Sequence, residues 1–575
     1  MPVHNSDIAD IFSEVADLLD IEGANEFRVR SYREAAQSIE NLSSNIADLV
    51  DEDKDLTELH GIGESIADKI REIVETGKLE QLEEIKKRVP EDLIQLLNLS
   101  GLGPERVKDL YQKLSIKSLD DLKKAAKNEK IRELEGFGEK TENKIKKELE
   151  RLGGEEEKRT KLIRAEEYAE PLVSYLDELE EIKKIIIAGS YRRRKETVGD
   201  IDILVTCSDS EPVMDRFVKY DDVEEVISKG DTKSSIRLKI GLQVDLRVVK
   251  EKSYGSALLY FTGSKSHNIK LRERAIDRDL KINEYGVFPE GKEKPVAGKT
   301  EEEVYDIVDL EWIPPEIREN RGEIEASENG KLPKLISLDD LKGDLHCHTT
   351  YTDGVDSIEE MARAAKGLGH QYLAITDHSK RVTVAEGLDA KELAKQIEEI
   401  DKINEKLNDF TILKGVEVDI LEDGSLDLPD DILKELDIRV CSIHYKLDLS
   451  SEKQTRRILK AMENQYFNIW AHPTDREIHK RDPIDINMDK IMSEAAGRNI
   501  CMEINSSPRR LDLNDIHSKM AKERGIKIAI STDSHTKDNL KNLKYGVNQA
   551  RRGWLEADDV INTKSAGEII KMMKK

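Results

Sequence analysis

Hydrophobic residues follow a helical period in the first part of the chain and a strand period after about residue 160. The segment LDDLKKAAKNEKIREL (119–134) has apolar residues three and four positions apart, which predicts an amphipathic helix. After residue 160, the runs IKKIIIAGS, VGDIDILVT and LQVDLRVV are short, apolar and β-branched, which predicts strands. The pattern therefore predicts a helical amino-terminal part followed by a part that contains sheets.

A glycine-containing frame occurs three times in the helical part. LHGIGESIADKI (59–70), LSGLGPERVKDL (99–110) and LEGFGEKTENKI (134–145) share the pattern L-x-G-x-G-x-x-x-x-x-x-[IL]. Each copy predicts a helix, a glycine hairpin and a second helix, because glycine permits the tight turn. The amides that begin the second helix can bind a phosphate without a basic side chain. We therefore expect phosphate contacts at three glycine pairs: Gly61 and Gly63, Gly101 and Gly103, and Gly136 and Gly138.

Strands alternate with helical segments after residue 340. The predicted strands are YLAITDH, TILKGVEVDI, IRVCSIHY, FNIWAHP, NICMEINS and KIAISTDSH. Such an alternation predicts an α/β barrel or a layered α/β domain. The preceding segment, 323–339, is polar and contains glycine and proline, so we expect a linker between two independent cores.

Composition narrows the class of protein. A chain of 575 residues exceeds a single core, so we expect several domains. It has no apolar run long enough to cross a bilayer, no secretory signal in MPVHNSDIADIF and no CxxC spacing among its four cysteines. We therefore expect a cytoplasmic protein. The net charge of -26 argues against a nucleic-acid ligand, but backbone amides at helix termini remove much of that objection.

Three aspartates are embedded in the predicted strands of the middle region. Asp200 and Asp202 are two positions apart, so their carboxylates share one face, and Asp245 can lie on a neighbouring strand. Three such carboxylates repel one another unless divalent cations lie between them. Two Mg²⁺ ions there could activate a 3′-hydroxyl and neutralise triphosphate oxygens. Upstream, Ser190 and Arg193 in GSYRRR are suited to phosphate.

Histidines and acids concentrate at the ends of the predicted carboxy-terminal strands, where an α/β barrel forms its site. The chain has only 12 His, and two of them lie in DLHCHTTYTDG (344–354). Cys347 between them is expected in the core. A site rich in imidazole suits Zn²⁺ or Mn²⁺ better than Mg²⁺. The candidate ligands are His346, His348, Asp353, His378, Glu417, His444, His472, Asp533 and His535.

The middle region resembles family X DNA polymerases. The resemblance rests on GS followed by DxD, on the third strand aspartate and on YFTGSKSHNIKLRERAIDRDLKINEYG (260–286). It implies that Asp200, Asp202 and Asp245 are catalytic. Asp200 and Asp202 would bind both Mg²⁺ ions, and Asp245 the one that activates the primer 3′-oxygen. Gln243 departs from the family pattern, which has arginine there. The resemblance further implies that a deoxynucleoside triphosphate (dNTP) contacts Gly189, Ser190, Arg193, Tyr260, Phe261, Gly263 and Asn268, and that the template contacts Arg272.

The helical part resembles other segments of the same family. The three glycine frames are similar to helix-hairpin-helix motifs, and the first 80 residues resemble a small lyase domain. Lys69 matches the lysine that forms a Schiff base with an abasic sugar. Ser65 and Glu26 stand where the family has helper lysines. A lyase lysine and an ordinary surface lysine therefore remain alternatives for Lys69.

The carboxy-terminal region resembles the PHP (polymerase and histidinol phosphatase) domain. The resemblance implies a distorted barrel with up to three Zn²⁺ or Mn²⁺ ions. It implies one ion held by His346, His348, Glu417 and Asp533, a second by Glu417, His444 and His472, and a third by Asp353, His378 and His535. Such a cluster activates a bound water for attack on a phosphodiester.

The whole chain resembles a bacterial or archaeal family X DNA polymerase with a carboxy-terminal PHP domain. The expected fold is multidomain: helix-hairpin-helix domains, a nucleotidyltransferase palm with a thumb, and a distorted α/β barrel. The expected domains are a lyase-like domain (1–80), helical fingers (81–158), the palm (159–255), the thumb (256–322), the linker (323–339) and the PHP domain (340–575).

The expected function is gap filling in base excision repair, with 3′–5′ exonuclease or phosphoesterase activity and AP endonuclease activity from the PHP domain. The expected partners are gapped or primed DNA and dNTPs, without a membrane, and the expected state is a monomer. One alternative is a terminal nucleotidyltransferase fused to a small-molecule phosphatase. Another is a DNA-binding scaffold with an inactive PHP domain.

Overall fold

The structure is a computed structural model that describes residues 4–40, 42, 45–59, 61–90, 92–97, 99, 102–134, 136–151 and 159–574. The chain divides into two compact units. One unit consists of Met1–Lys158 with Arg476–Pro483, and the other of Arg159–Asp475 with Ile484–Lys575.

The first unit is helical. Its helix α1 buries Ile8, Phe12, Val15 and Leu19, whose spacing places them on one face. Gly23 ends this helix with φ 85, a backbone conformation that favours glycine. The helices are α1 (Asn5–Glu22), α2 (Glu26–Glu40), α3 (Ile46–Asp51), α4 (Glu64–Thr76), α5 (Glu80–Lys86), α6 (Asp92–Leu97), α7 (Pro104–Leu114), α8 (Leu119–Lys127) and α9 (Glu139–Arg151).

The three glycine hairpins lead directly into α4, α7 and α9. Gly63 and Gly103 are the residues that precede α4 and α7, and Gly136 has φ 83 in the turn before α9. A full helix precedes only the second hairpin among the described residues. Short 3-10 turns, Leu56–Glu58 and Ile131–Glu133, precede the first and third, so the predicted first helix is reduced there. Gly101 lies outside the described residues.

The second unit begins with a mixed sheet in the order β2-β4-β7-β6-β5. The strands of this sheet are β2 (Ile182–Ile187), β4 (Asp200–Cys207), β5 (Val223–Lys229), β6 (Lys233–Leu238) and β7 (Gln243–Val248). Two separate strand pairs accompany it: β1 (Thr160–Lys161) with β3 (Thr197–Val198), and β8 (Leu280–Asn283) with β9 (Gly286–Pro289). The helices are α10 (Leu162–Asp177), α11 (Gly189–Arg192), α12 (Glu211–Phe217), α13 (Tyr254–Thr262), α14 (Lys265–Ile276), α15 (Glu301–Asp306) and α16 (Glu323–Glu328). These elements correspond to the expected palm and thumb.

The remaining strands form a parallel sheet in chain order, from β10 to β16. They are β10 (Gly343–Asp344), β11 (Tyr372–Ile375), β12 (Thr411–Asp419), β13 (Ile438–Ser442), β14 (Ile469–Trp470), β15 (Cys501–Asn505) and β16 (Ile528–Ser531). Helices connect them, as parallel strands require: α17 (Ile358–Gly367), α18 (Ala390–Asn404), α19 (Asp430–Leu433), α20 (Ser451–Ala461), α21 (Met488–Arg498), α22 (Asp515–Glu523), α23 (Leu543–Arg552) and α24 (Ala566–Met573).

The first and last strands of this sheet meet, which closes it into a barrel. Cys347 and Ser534 form a parallel bridge, and the amide of Asp533 donates to the carbonyl of His346 at 3.0 Å. Asp344 accepts a hydrogen bond from the amide of Thr532 at 3.1 Å. The predicted distorted α/β barrel is confirmed, and Cys347 lies in its core as expected.

The segment 323–339 does not form an open linker between independent cores. Glu323 at its start is fully buried, and its carboxylate lies 2.7 Å from Nδ1 of His267. At its other end, the amide of Ile336 donates to the carbonyl of Leu555 at 3.0 Å. The segment is thus bonded to the thumb at one end and to the barrel at the other, and the palm, thumb and barrel lie in one compact unit.

No helix among the described residues has the length and apolar character needed to cross a membrane.

Candidate functional sites

The three palm aspartates lie together at one edge of the mixed sheet. Asp200 and Asp202 lie on β4, which pairs in parallel with β7 so that Asp202 is directly opposite Asp245. Burial, and then the charges of Asp200 and Asp245, raise the pKa of Asp202 to about 7. Burial and then the charge of Asp245 also raise the pKa of Asp200. Bringing these carboxylates together therefore costs free energy, and divalent cations would offset that cost.

Asp245 has two polar neighbours, of which the sequence analysis singled out only Gln243. Lys233 Nζ on β6 lies 2.8 Å from its carboxylate, and Gln243 Nε2 donates to it at 3.0 Å. Burial acts to raise the pKa of Asp245, but the hydrogen bonds from Lys233 and Gln243 outweigh burial and lower it. Gln243, which departs from the family pattern, therefore still contacts the third aspartate.

The GSYRRR segment forms α11 and the turn after it, beside these aspartates. Gly189 has φ 63, and a Cβ atom placed there would lie 3.1 Å from Asp202 Oδ2. Ser190 is half-buried on the same turn. Arg193 donates to the carbonyl of Thr262 at 2.6 Å and to Glu319 at 3.0 Å. Glycine is thus favoured where the backbone passes close to the carboxylate of Asp202.

The YFTGS segment ends α13 next to Arg193. Gly263 has φ 67, and a Cβ atom there would lie 3.2 Å from a guanidinium nitrogen of Arg193. The rings of Tyr260 and Phe261 lie edge to face, with centroids 5.1 Å apart. On α14, Asn268 donates to the carbonyl of Tyr260 at 2.8 Å, while its Oδ1 is buried without a hydrogen bond. The remaining predicted residue, Arg272, follows one turn later on α14 and donates to the carbonyl of Asn268.

The barrel brings its nine candidate ligands together at the carboxyl ends of its strands. Glu417 Oε1 lies 2.9 Å from His472 Nε2 and 3.3 Å from His444 Nε2, while its Oε2 lies 2.8 Å from His378 Nδ1. Three groups have ligand atoms within 4.8 Å of one another: His348, Asp353, His378 and His535; His346, His348 and Asp533; and His378, Glu417 and His444. The grouping differs from the expected one in three ways. His348 and His378 each belong to two groups, Glu417 is absent from the group of His346 and Asp533, and His472 belongs to none of the groups.

Buried atoms in this cluster fit metal ions. The Nδ1 atoms of His348 and of His472 are buried and make no hydrogen bond. Such atoms are costly unless an ion or another group binds them. Two other histidines, His444 and His535, have Nδ1 near a protein oxygen, 3.1 Å from Asp419 and 2.9 Å from the carbonyl of Asp533. Their Nε2 atoms remain for an ion, as in most protein metal sites.

Two carboxylates that bond to candidate ligand residues were not identified by the sequence analysis. Glu503 on β15 is fully buried, accepts from the amide of His472 at 2.7 Å and lies 2.8 Å from Nδ1 of His346. Asp419 on β12 accepts from the amide of His444 at 3.1 Å. Both lie on strands that had been predicted, in GVEVD and MEIN, but no histidine stands beside Glu503 in the sequence. Their partners come from other strands, so only the fold reveals them.

A third cluster lies in the amino-terminal unit. Lys69 Nζ donates to the side chain and carbonyl of Ser65, at 2.8 and 2.9 Å. It lines a cavity of about 360 Å³ with Arg28, Tyr32, both Gly61 and Gly63, and others. Burial, and then the charge of Arg28, lower the pKa of Lys69. Arg28 therefore supplies a neighbouring cation that the sequence analysis found to be missing.

Comparisons with known proteins match every part of the chain. Family models match as follows: Helix-hairpin-helix domain, 3–79; SAM-like Helix-hairpin-helix tandem, 91–151; DNA polymerase beta palm, 164–254; DNA polymerase beta thumb, 257–319; and PHP domain, 344–506. The DNA polymerase/3'-5' exonuclease PolX of Bacillus subtilis (strain 168) is 38% identical over 577 residues, which covers 100% of both chains. The chain belongs to the family X DNA polymerases that carry a PHP domain.

Two further relatives each match only part of the chain. DNA polymerase lambda of Arabidopsis thaliana is 29% identical over 350 residues, which is 55% of this chain and 62% of that protein. A probable phosphatase of Thermoanaerobacter sp. (strain X514) is 33% identical over 242 residues, which is 40% of this chain and 94% of that protein. A DNA polymerase and a probable phosphatase are thus each similar to part of this chain.

We expect Asp202→Asn to stabilise the metal-free enzyme at neutral and alkaline pH. Folding raises the pKa of this carboxyl group from about 4 in the unfolded chain to about 7. The folded protein therefore loses stability as the pH rises through that interval. Removing the charge should therefore raise the free energy of unfolding by roughly 1–3 kcal/mol at about pH 8, and by less at about pH 5. Thermal unfolding in chelator measures this, with the exposed Asp231→Asn as control. An unchanged or lower melting temperature for Asp202→Asn at the higher pH would contradict the charge repulsion.

We expect Glu503→Gln to weaken metal binding by the barrel about 10–100-fold, because Glu503 orients His346 and fixes its ring nitrogens. The metal content of the variant after dialysis against limiting Mn²⁺ or Zn²⁺ measures the loss. The half-buried Glu494→Gln, on the outer helix α21, is the matched control and should retain the wild-type content. Equal affinity in the Glu503 and Glu494 variants would show that the carboxylate of Glu503 does not orient a ligand.

Proposed function

We propose that this enzyme fills short gaps in DNA during base excision repair and removes nucleotides from 3′ ends with its barrel. The similar Bacillus subtilis protein is a DNA polymerase/3'-5' exonuclease by name. The observation that carries the proposal is the presence of two separate charged clusters on one compact unit. One has three carboxylates on paired strands. The other has eight candidate ligands in three close groups at the barrel mouth, with His472 beside Glu417 as the ninth.

In the palm, Asp200, Asp202 and Asp245 would hold two Mg²⁺ ions, which lower the pKa of the primer hydroxyl and neutralise triphosphate charge. Side chains around them position the substrates. Ser190, Arg193 and the backbone at Gly189 bind the triphosphate of a dNTP. The sugar lies against Tyr260, Phe261 and Gly263. Two side chains of α14 contact the bases and the template: Asn268, whose buried Oδ1 lacks a hydrogen bond, and Arg272.

In the barrel, the nine ligands would hold up to three Zn²⁺ or Mn²⁺ ions, which supply a water of lowered pKa and bind the phosphate. The protein's own part is to fix the ligands. Glu503 holds His346, and Asp419 holds His444, so that the remaining ring nitrogens face the cluster. A phosphodiester at a 3′ end, or at an abasic site for AP endonuclease activity, is the substrate that matches this chemistry.

The glycine hairpins would hold the duplex through its phosphates. Open space surrounds the Cα atoms of Gly63, Gly103, Gly136 and Gly138, so a phosphate can approach their amides. Phosphate contacts do not specify a sequence, which suits an enzyme that acts on any gap. We further propose a cytoplasmic monomer with domains bounded as the sequence analysis expects, apart from the linker.

Deoxyribose-phosphate lyase activity is a second candidate function, favoured by the cavity around Lys69. A Schiff-base lysine needs a lowered pKa. Burial and Arg28 act in that direction, although Ser65 and Glu26 replace the helper lysines. The amides near Gly61 and Gly63 line the same cavity and can bind the 5′-phosphate.

The two reactions should separate by mutation. We expect Asp202→Ala to abolish template-dependent extension of a gapped duplex and to retain Mn²⁺-stimulated 3′ degradation. The double variant His346→Ala and His348→Ala should show the reverse, because it removes ligands of the barrel cluster alone. Primer assays on the full chain measure both activities, with untemplated addition to RNA as a test of the terminal-transferase alternative. Extension by Asp202→Ala, or degradation by the double histidine variant, would refute the corresponding site.

For the lyase, we expect borohydride to trap a covalent adduct between the enzyme and a 5′-deoxyribose phosphate. Lys69→Ala should lose the adduct, and Arg28→Ala should reduce its rate near neutral pH, because Arg28 lowers the pKa of Lys69. Lys78→Ala, which changes an exposed lysine elsewhere in this unit, is the control. An adduct of wild-type yield in Lys69→Ala would assign the nucleophile to another residue.

A further inference from the structure

Helix α23 belongs to the barrel by sequence but binds the palm and thumb. Tyr545 donates to Glu166 at 2.6 Å, and Lys544 lies 3.2 Å from the same carboxylate on α10. Arg551 donates to Glu316 at 2.8 Å, in the turn that ends the thumb. The helix therefore bonds, along its length, to the part of the chain that surrounds the polymerase site.

The last residue of α23, Arg552, reaches the triphosphate-binding turn itself. Its side chain is only 3% exposed and donates to the backbone carbonyl of Arg193 at 2.8 Å. It also donates to Glu319 at 3.1 Å and to Asp515 of α22 at 2.6 Å. A buried guanidinium with two carboxylates and a carbonyl as partners is held in a fixed position.

Glu319 connects Arg552 to the side chain of Arg193. The same Oε1 atom of Glu319 accepts from Arg193 Nε at 3.0 Å and from Arg552. The charges of Arg193 and Arg552 lower the pKa of Glu319 against the effect of burial, so it is ionised. One carboxylate is therefore shared between an arginine of the polymerase site and an arginine of the barrel.

We propose that Arg552 is a positioning residue for the polymerase reaction, supplied by the PHP half of the chain. It fixes the backbone of the turn at Arg193 and shares the negative charge of Glu319. Arg193 then keeps a net positive charge toward the triphosphate of the incoming dNTP. The inference rests on the proposed role of Arg193 in binding that triphosphate.

Charge explains why the barrel arginine matters to the substrate. Without Arg552, the carboxylate of Glu319 would be paired with Arg193 alone. It would then neutralise Arg193, and the turn would attract a triphosphate less strongly. Three arginines, Arg552, Arg159 and Arg193, lie close enough to Lys195 to interact with its charge, so several cations converge at this turn. A positive environment at this turn is what a dNTP requires.

The neighbouring Arg551 provides a matched control. It lies on the same helix and bonds to Glu316 and to the carbonyl of Ile336 at 2.8 Å, without a bond to Arg193 or Glu319. Substituting Arg551 weakens the same attachment of α23. It leaves the shared carboxylate in place, so a general loosening of the halves and a specific effect at Arg193 can be distinguished.

The test is steady-state gap filling by the full-length enzyme, with the 3′ degradation rate as a check of the fold. We expect Arg552→Met to raise the KM for dNTP about tenfold with kcat and 3′ degradation within about threefold of wild type. Arg551→Met should leave the KM within about twofold. Adding Glu319→Gln to Arg552→Met should lower the KM again, because it removes the negative charge beside Arg193.

Three results would overturn the inference: an unchanged KM in Arg552→Met, an equal rise in Arg551→Met, or a further rise in the double variant. If Arg552→Met does not fold, Arg552→Lys takes its place, since it keeps the charge but not the fork of donors, and it should raise the KM with 3′ degradation intact. Arg193→Lys tests the triphosphate role of Arg193 separately from the role of Arg552. An unchanged KM there would refute the triphosphate role of Arg193, whatever Arg552 does.

Discussion

The structure depends on one constraint, which is that ionisable side chains gathered at buried strand ends need an opposite charge. In the palm, Asp202 faces Asp245 across two paired strands and shares a face with Asp200. At the barrel mouth, Glu417 lies within 3.5 Å of histidines from several strands. Water cannot fully compensate such groups once the fold has buried them. Both clusters have side chains that suit metal cations, and the polymerase and PHP domains of this enzyme family generally depend on metals.

The same constraint shapes the way the polymerase and PHP regions are packed together. Arg192 and Arg318 both bind Glu301, which is nearly fully buried. Burial opposes the ionisation of Glu301, but the charge of Arg318 and the hydrogen bonds from Arg192 hold its pKa well below its ordinary value. Together with the pairs around Arg552, these bonds fix α11 from the thumb on one side and from the barrel on the other. The turn at Arg193 is thus held by residues of the thumb and of the barrel.

Much of the fold and of both sites could be predicted from the sequence, because their signals are local. Side chains two positions apart on a strand share a face, which places Asp200 and Asp202 together. The histidines could be placed because they stand at the ends of predicted strands. Glu503 could not be predicted, since its partner His346 is 157 positions away in the sequence. The closed packing at 323–339 was missed for a similar reason. A polar segment with Gly and Pro has the composition of a linker, but Glu323 is buried against His267 by tertiary structure alone.

The central claim is that two separate metal centres lie on one compact unit. Diffraction from crystals soaked in Mn²⁺, measured above and below the manganese absorption edge, tests it most directly. The account predicts anomalous peaks between Asp202 and Asp245 and, separately, among His346, Glu417 and His378. It also predicts that Lys233 moves away from Asp245 when the first peak is present. Peaks at neither cluster, with Lys233 still bonded to Asp245, would contradict the account.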